Sequence, residues 1–377
     1  MRILIVGSDA NAYSIAKSLK NNEHVDIVFV TSCSGKIEEF AENTNISETN
    51  NAELLDFVIA NDIALTIVTS ISAISNNIGE FFNDARRLIL APSSDAAHIA
   101  LFKSSAKKTM YRLKIPTMKF GVFERENQAI DYVSAARRPL AIKTDIHIPG
   151  EFPVFAESFT KAKNILEKLF ISPENKVVIE DYLDAKEVSM YFLTDGYTAL
   201  PIGNCASNDL LFSYPDSVIS PDNYVSDELE SKIMKEVVYP VIDDISTKGQ
   251  PYCGILGVDI FLSGDNYNVI EFNPFFKQMH LQTILPLIKS DLCDLFLSAA
   301  SGSLSDEYQY IKMYNYSAVS EIKPQNKIDE NEQCDDENLH IAYTSSSKII
   351  FTQTARTLTR AKQELKENIE YLTKIGE

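Results

Sequence analysis

Over residues 1–98, apolar runs of strand length alternate with segments of helical period. Ile3–Val6, Asp26–Val30, Leu65–Val68 and Leu88–Leu90 are short β-branched or aliphatic runs, separated by helical stretches such as Ala12–Leu19 and Ala52–Ile59. Strands alternating with helices predict a parallel α/β sheet, because a parallel crossover needs a helix's length of chain. One helix is then predicted over Ala96–Leu113, ending before Ile115-Pro116 because the residue before a proline is pushed out of helical geometry.

Further along the pattern changes. Lys119–Phe123 and Pro139–Lys143 read as strands around a helix near Asn127–Ala136, and a helix at Glu157–Phe170 precedes the strand Lys176–Glu180. Residues 227–247 form a long amphipathic helix, and Gln282–Ala299 forms another. Between these helices, Gly257–Leu262 and Tyr267–Asn273 are apolar runs joined by Gly264-Asp265-Asn266, which reads as a hairpin. Glu321–Asn338 has many acids and amides and few apolar residues, the signature of a solvated loop. A last strand, Lys348–Thr352, and helix, Leu358–Leu372, follow.

A formal net charge of −18 argues against a general nucleic-acid or anionic-membrane binder, while leaving room for a local cationic pocket. The five cysteines are scattered without CxxC pairs and read as reduced thiols of a cytoplasmic protein. Met1–Gly7 enters a strand directly, so neither a signal peptide nor a membrane span is expected. The five histidines are isolated, and no Ser-His or Cys-His constellation is signalled.

Chemistry concentrates in the hairpin. Asp259, Glu271 and Asn273 are oxygen-bearing side chains on its adjacent strands, and Glu271 and Asn273, two apart, share a face. Two carboxylates with an amide oxygen suit Mg²⁺ beside a phosphate. Lys143 ends an apolar strand, where a point charge suits a phosphate, and Lys103 and Lys107 lie one helical turn apart on one face. Val177–Glu187 reads as strand, polar hinge, then strand; Glu180 and the backbone of Tyr182 and Leu183 can present to a purine, with Glu187 near a ribose.

In this order and spacing the chain resembles the ATP-grasp superfamily, and most closely the glycinamide ribonucleotide synthetase (phosphoribosylamine–glycine ligase) family. The likeness runs through Leu65–Val68, Ala91-Pro92-Ser93, Lys114–Thr117, Ala141–Asp145, Val178–Asp184, Val269–Asn273 and Lys289–Leu295. It implies an α/β and α+β fold: an N-terminal pre-ATP-grasp domain (1–98), a two-lobed ATP-grasp domain (99–302, flexible lobe about 117–195), and a small C-terminal α+β domain (303–377, acidic loop 321–338). By motif position, Lys103 and Lys143 would contact phosphates, Glu180, Tyr182 and Leu183 adenine, and Glu187 the ribose. Glu271 and Asn273 would hold Mg²⁺ or Mn²⁺, with Asp259 as a third metal ligand that matches the metal acid of other ATP-grasp ligases better than that of this synthetase family. The implied reaction is ATP-dependent joining of a small-molecule acid and amine through an acyl phosphate, in a monomer or homodimer.

Departures from the family bear on the substrate. Its glycine-rich N-terminal loop is here Gly7-Ser8-Asp9-Ala10-Asn11, in which Asp9 would repel a phosphate. The loop after Lys143 keeps only Gly150, and Ala206–Asp222 holds neither Lys nor Arg. After Asn273 the family's arginine signature reads Phe275-Phe276-Lys277-Gln278-Met279-His280, leaving Lys277 and His280 as candidate catalytic groups. Tyr13, Phe152, Phe275 and Phe276 suggest a bulkier, less anionic partner than phosphoribosylamine. The expectation is therefore a ligase for a different acid and amine. The alternatives are phosphoribosylamine–glycine ligase itself, or a non-catalytic nucleotide-binding protein.

Overall fold

The computed structural model describes residues 1–31, 36–137, 139–146, 154–171, 176–207, 217–222, 224–264, 266–325, 336–344 and 347–374. Its first sheet joins β1 (Arg2–Val6), β2 (Ile27–Val30), β3 (Glu42–Asn43), β4 (Leu65–Val68) and β5 (Ile89–Leu90) in the order β3-β2-β1-β4-β5, all parallel. Ile3, Leu4, Ile5 and Val6 are all buried, as the central strand of a sheet covered on both faces requires. At Gly7 the chain leaves β1 with φ +151°, and a Cβ there would lie 2.0 Å from Thr69 Oγ1, so a glycine is needed.

The expected helix Ala96–Leu113 is two helices, Ser94–Leu101 and Lys103–Leu113, broken at Phe102 with φ −124° and ψ 116°. The break is imposed by a segment distant in sequence. Asp145 O accepts from Lys103 N–H at 2.8 Å, and the Asp145 carboxylate accepts from Ser104 N–H at 2.6 Å and Ser104 O–H at 2.9 Å. Asp145 therefore caps the second helix, where Phe102 has no side chain to do so. The expected helix Gln282–Ala299 is also divided. Pro286 lies in the 3₁₀ turn Leu285–Leu287, and Asp291 then caps Leu292–Ser301. The helix over 227–247 runs on through a π turn at Met234–Val238, just before Pro240, which has no N–H to donate back.

A second sheet holds β6 (Phe120–Phe123), β7 (Leu140–Thr144), β8 (Val154–Ala156) and β9 (Val177–Asp181), antiparallel in the order β6-β9-β7-β8. Leu140, Ile142, Val177 and Ile179 pack with Ala129, Val133, Ala162 and Leu166 of the helices Glu126–Ala135 and Phe159–Leu169. Strand alternation then sends Lys143 and Glu180 to the opposite face.

The third sheet is the frame of the molecule. It contains β10 (Lys186–Asp195), β11 (Ala199–Ser207), β12 (Ser217–Ser220), β13 (Cys253–Ser263), β14 (Asn266–Asn273), β15 (Ser317–Pro324), β16 (Leu339–Tyr343) and β17 (Lys348–Ala355). Their order is β14-β13-β10-β11-β12-β15-β17-β16. The predicted hairpin is β13–β14; its turn residue Asp265 lies outside the described residues.

Residues 303–377 form no separate sheet among the described residues: β15 pairs with β12, and β17 with β15, extending the central sheet. The stretch read as a loop from Glu321 accordingly begins as strand, since Glu321–Pro324 pair with β17. Residues 326–335 lie outside the described residues, as do 147–153, including Gly150 and Phe152, and 208–216. Among the described residues, no helix is long and apolar enough to cross a membrane.

Candidate active site

Two clusters of charge lie where the second sheet meets the edge of the central one. In the first, Glu180 on β9 sits between two buried lysines. Lys107 Nζ is 2.7 Å from Glu180 Oε2, and Lys143 Nζ on β7 pairs with Oε1. Lys107 also donates to Thr117 Oγ1 at 2.8 Å and lies 3.5 Å from Val269 O on β14, so this ammonium ties the two sheets together. Exposures of 2% for Lys107, 7% for Lys143 and 3% for Glu180 mean that water neutralises little of this charge.

Burial alone would raise Glu180, but Lys107 and Lys143 outweigh it and hold its carboxyl below the usual range. Lys107 is lowered, by burial first and by Lys143 as well, against the pull of Glu180. Lys143 is also opposed by burial, yet Glu180 and Glu271 raise it. Two ammonium groups thus share one carboxylate, with Glu271 adding negative charge to the environment of both.

The second cluster centres on Asp259 of β13, which is fully buried. Ser189 on β10 donates to Oδ1 at 2.5 Å; Asn273 Nδ2 donates to Oδ2 at 2.8 Å; and Lys277 Nζ lies 2.6 Å from Oδ2. Lys277 Nζ also donates to Glu187 Oε1 at 3.1 Å. Burial pushes Asp259 up to about 6, opposed by Lys277 and reinforced by Glu187 and Glu271. Lys277 stands well above the ordinary lysine value because those three carboxylates overcome its desolvation.

Sequence order and register build this cluster. Asp259 pairs with Glu271 across β13–β14 and with Ser189 across β13–β10, while Asn273 lies opposite Gly257. The three residues expected to hold a metal are brought together, but a lysine sits among them. A divalent cation does not fit the arrangement as it stands. Asp259 uses both oxygens on donors, Asn273 turns its N–H toward it, and Lys277 fills the space toward Glu187. Among the described residues, no group of three or more His, Cys, Asp or Glu side chains is placed to hold a metal ion.

The remaining candidates are placed differently. Lys103 begins its helix half-buried, and Lys107, one turn on, is the residue that meets Glu180. Glu180 itself is engaged by lysines on both oxygens. Tyr182 and Leu183 lie half-buried between β9 and β10, but Tyr182 N–H donates to Pro139 O at 3.1 Å and its ring packs edge-on against Phe155.

His280 is turned into the core at 6% exposure, with burial pushing its imidazole well below the ordinary histidine value. Its Nδ1 is 2.8 Å from Tyr191 Oη, which accepts from Lys277 N–H at 3.2 Å. A neutral imidazole facing a phenol kept protonated by burial accepts a hydrogen bond from the phenol O–H at Nδ1. His280 therefore positions Lys277 through Tyr191.

Tyr13, Phe275 and Phe276 are 4–5% exposed and belong to the core, where Phe276 packs on Tyr191 and Phe275. They do not line a site for a bulky partner, because the chain after Asn273 folds inward. Ser189, Thr117 and Asp145 were not singled out from sequence. Ser189 alone carried a signal, lying two residues after Glu187 on the same strand face.

Lys143 on a small antiparallel sheet and Lys107 on the helix Lys103–Leu113, both meeting a buried glutamate beside acidic strands of a larger sheet, form the phosphate-suited arrangement of an ATP-grasp protein. The model for the phosphoribosylglycinamide synthetase ATP-grasp (A) domain matches residues 102–280, and that for its N domain matches residues 1–100. The Haemophilus influenzae phosphoribosylamine–glycine ligase is 30% identical over 322 residues, covering 81% of this chain and 75% of that protein. The Lactococcus lactis enzyme of the same name is 29% identical, covering 80% and 76%.

The chain belongs to the phosphoribosylglycinamide synthetase family of ATP-grasp ligases. Its fold matches the crystal structure of the Thermotoga maritima phosphoribosylamine–glycine ligase with a TM-score of 0.79 at 15% identity, covering 97% of this chain and 96% of that one. It also matches the biotin carboxylase domain of Hydrogenobacter thermophilus 2-oxoglutarate carboxylase, solved with magnesium ADP, ADP and bicarbonate. That likeness has a TM-score of 0.78 at 13% identity and covers 97% and 88%.

Proposed function

We propose that the chain binds ATP between the second and central sheets and acts as a phosphoribosylamine–glycine ligase. The observation that carries the nucleotide half is the buried Lys107–Glu180–Lys143 group, whose two positive charges on one carboxylate leave a surplus suited to a polyphosphate. The name shared by the relatives supports the acid and the amine. With Tyr13, Phe275 and Phe276 buried in the core, three of the four aromatic residues behind the argument for a bulkier substrate no longer support it.

In the reaction, the glycine carboxylate oxygen attacks the γ-phosphorus, ADP departs, and an acyl phosphate forms. The amine nitrogen then attacks the acyl carbon, phosphate leaves, and the nitrogen gives up a proton. Lys143 and Lys107 hold the phosphates and offset the charge brought together in the first step. Glu180 holds both ammonium groups in place, and Glu187 faces the ribose side. No side-chain nucleophile is needed.

One observation favours a second reading, in which the amine carries no phosphate. Asp9 caps the helix Ala10–Lys20 after β1, accepting from Ala12 N–H at 2.9 Å and from Thr69 O–H at 3.1 Å. Its carboxylate thus holds the helix N-terminus, a place otherwise suited to an anion.

ADP release is the test, measured with glycine plus phosphoribosylamine and with glycine plus unphosphorylated amines. Turnover requiring phosphoribosylamine supports the first reading, and turnover only with other amines supports the second. A chain that ATP protects against unfolding, yet that turns over neither, is a nucleotide binder and no ligase.

A further inference from the structure

We infer that Lys277 is a tethered cation, its ammonium standing between Asp259 and Glu187 where a divalent ion would otherwise stand. The buried carboxylate of Asp259 cannot remain ionised without a positive partner, because the desolvation cost of an isolated charge is several kcal/mol. Here the partner is covalently attached. Lys277 Nζ reaches Asp259 Oδ2 at 2.6 Å and Glu187 Oε1 at 3.1 Å, and Asn273 and Ser189 supply the remaining donors to Asp259.

The backbone that carries the lysine is built to keep it there. Phe275 and Phe276 are anchored in the core, Phe276 O accepts from Asn11 Nδ2 at 3.1 Å, and Lys277 N–H is held by Tyr191 Oη, itself held by His280. A fixed main chain on both sides lowers the entropy lost in seating the side chain.

Two consequences follow for metal binding. A divalent ion entering between Asp259 and Glu187 must first displace an ammonium that already satisfies both. Without the lysine, Asp259 and Glu187 lose the ammonium that joins them, and the space between the two carboxylates is open to a cation.

The test uses the full chain without nucleotide and Mn²⁺ alone, the free ion being followed by its electron paramagnetic resonance signal. Wild type and Lys277→Arg should bind Mn²⁺ about tenfold or more weakly than Lys277→Ala. Adding Asp259→Asn to Lys277→Ala should abolish the gained site. Equal affinity in wild type and Lys277→Ala overturns the proposal, as does low-micromolar binding by wild type. Should Lys277→Ala fold poorly, Mn²⁺ should raise its unfolding midpoint while leaving that of wild type unchanged; no selective rescue overturns the proposal equally. Because no nucleotide is present, these outcomes are independent of ADP release and of the ligase reading.

Discussion

Replacing Glu180 with glutamine keeps the shape of the side chain and removes the carboxylate in direct contact with both Lys107 and Lys143. At the observed 2.7 Å, a unit-charge pair in a medium of effective dielectric about 20 gains about 6 kcal/mol. Breaking a buried pair by removing one partner costs about 3–5 kcal/mol after relaxation and water entry. Glu180→Gln should therefore lower the unfolding free energy by about 3–5 kcal/mol in a urea titration, a large part of the 5–15 kcal/mol typical of native proteins. The sign of an added anion is more telling. With two ammonium groups left facing each other, phosphate or ATP should raise the midpoint of Glu180→Gln more than that of wild type. Removing one lysine as well, in Glu180→Gln with Lys107→Met, should recover much of the lost stability. If Glu180→Gln unfolds within about 0.5 kcal/mol of wild type, or gains nothing from phosphate, the paired arrangement is wrong.

Three further perturbations probe the scaffold. Asp145→Ala removes the cap on Lys103–Leu113 and should cost about 1–2 kcal/mol by thermal or urea unfolding, with Asp145→Asn recovering part of it. The imidazole of His280 is lowered in the folded chain, so the unfolded chain binds the extra proton as pH falls below about 6.5, and stability is lost in that direction. The difference in unfolding midpoint between His280→Gln and wild type should therefore shift in favour of the variant from pH 7 to pH 5; a constant difference contradicts a neutral, buried His280. Gly7→Ala sets a methyl group 2.0 Å from Thr69 Oγ1 at φ +151°, so about 2–3 kcal/mol should be lost by urea unfolding, and Gly7→Ala/Thr69→Ala, which removes that oxygen, should recover part of it.

The sequence pattern was most informative where periodicity and chemistry coincide. The parallel first sheet, the β13–β14 hairpin, and the positions of Lys143, Glu180, Asp259, Glu271 and Asn273 could all be read from local runs. What could not be read depends on partners far away in the chain. The break at Phe102 exists because Asp145 arrives from 41 residues away. The strand at Glu321–Pro324 forms despite its polar composition because all four residues pair with β17, a partner that local composition does not encode. Lys277 was legible as a cation beside the hairpin, but its pairing with Asp259 depends on how the chain after Asn273 turns inward. For the same reason His280 and the aromatic residues looked like site residues until burial placed them in the core.

The central sheet also fixes an order of events during synthesis. The inner β12 pairs with β15 from Ser217↔Glu321 to Ser220↔Ala318, so about a hundred residues must be added after β12 before its neighbour exists. At 5–20 residues per second this interval is roughly 5–20 s. Until then the side of β12 that β15 covers has no ladder partner, and an uncovered strand edge is a template for pairing with another chain. The last strands of the chain are therefore what covers β12, and the completed sheet ends instead at the short strand β16.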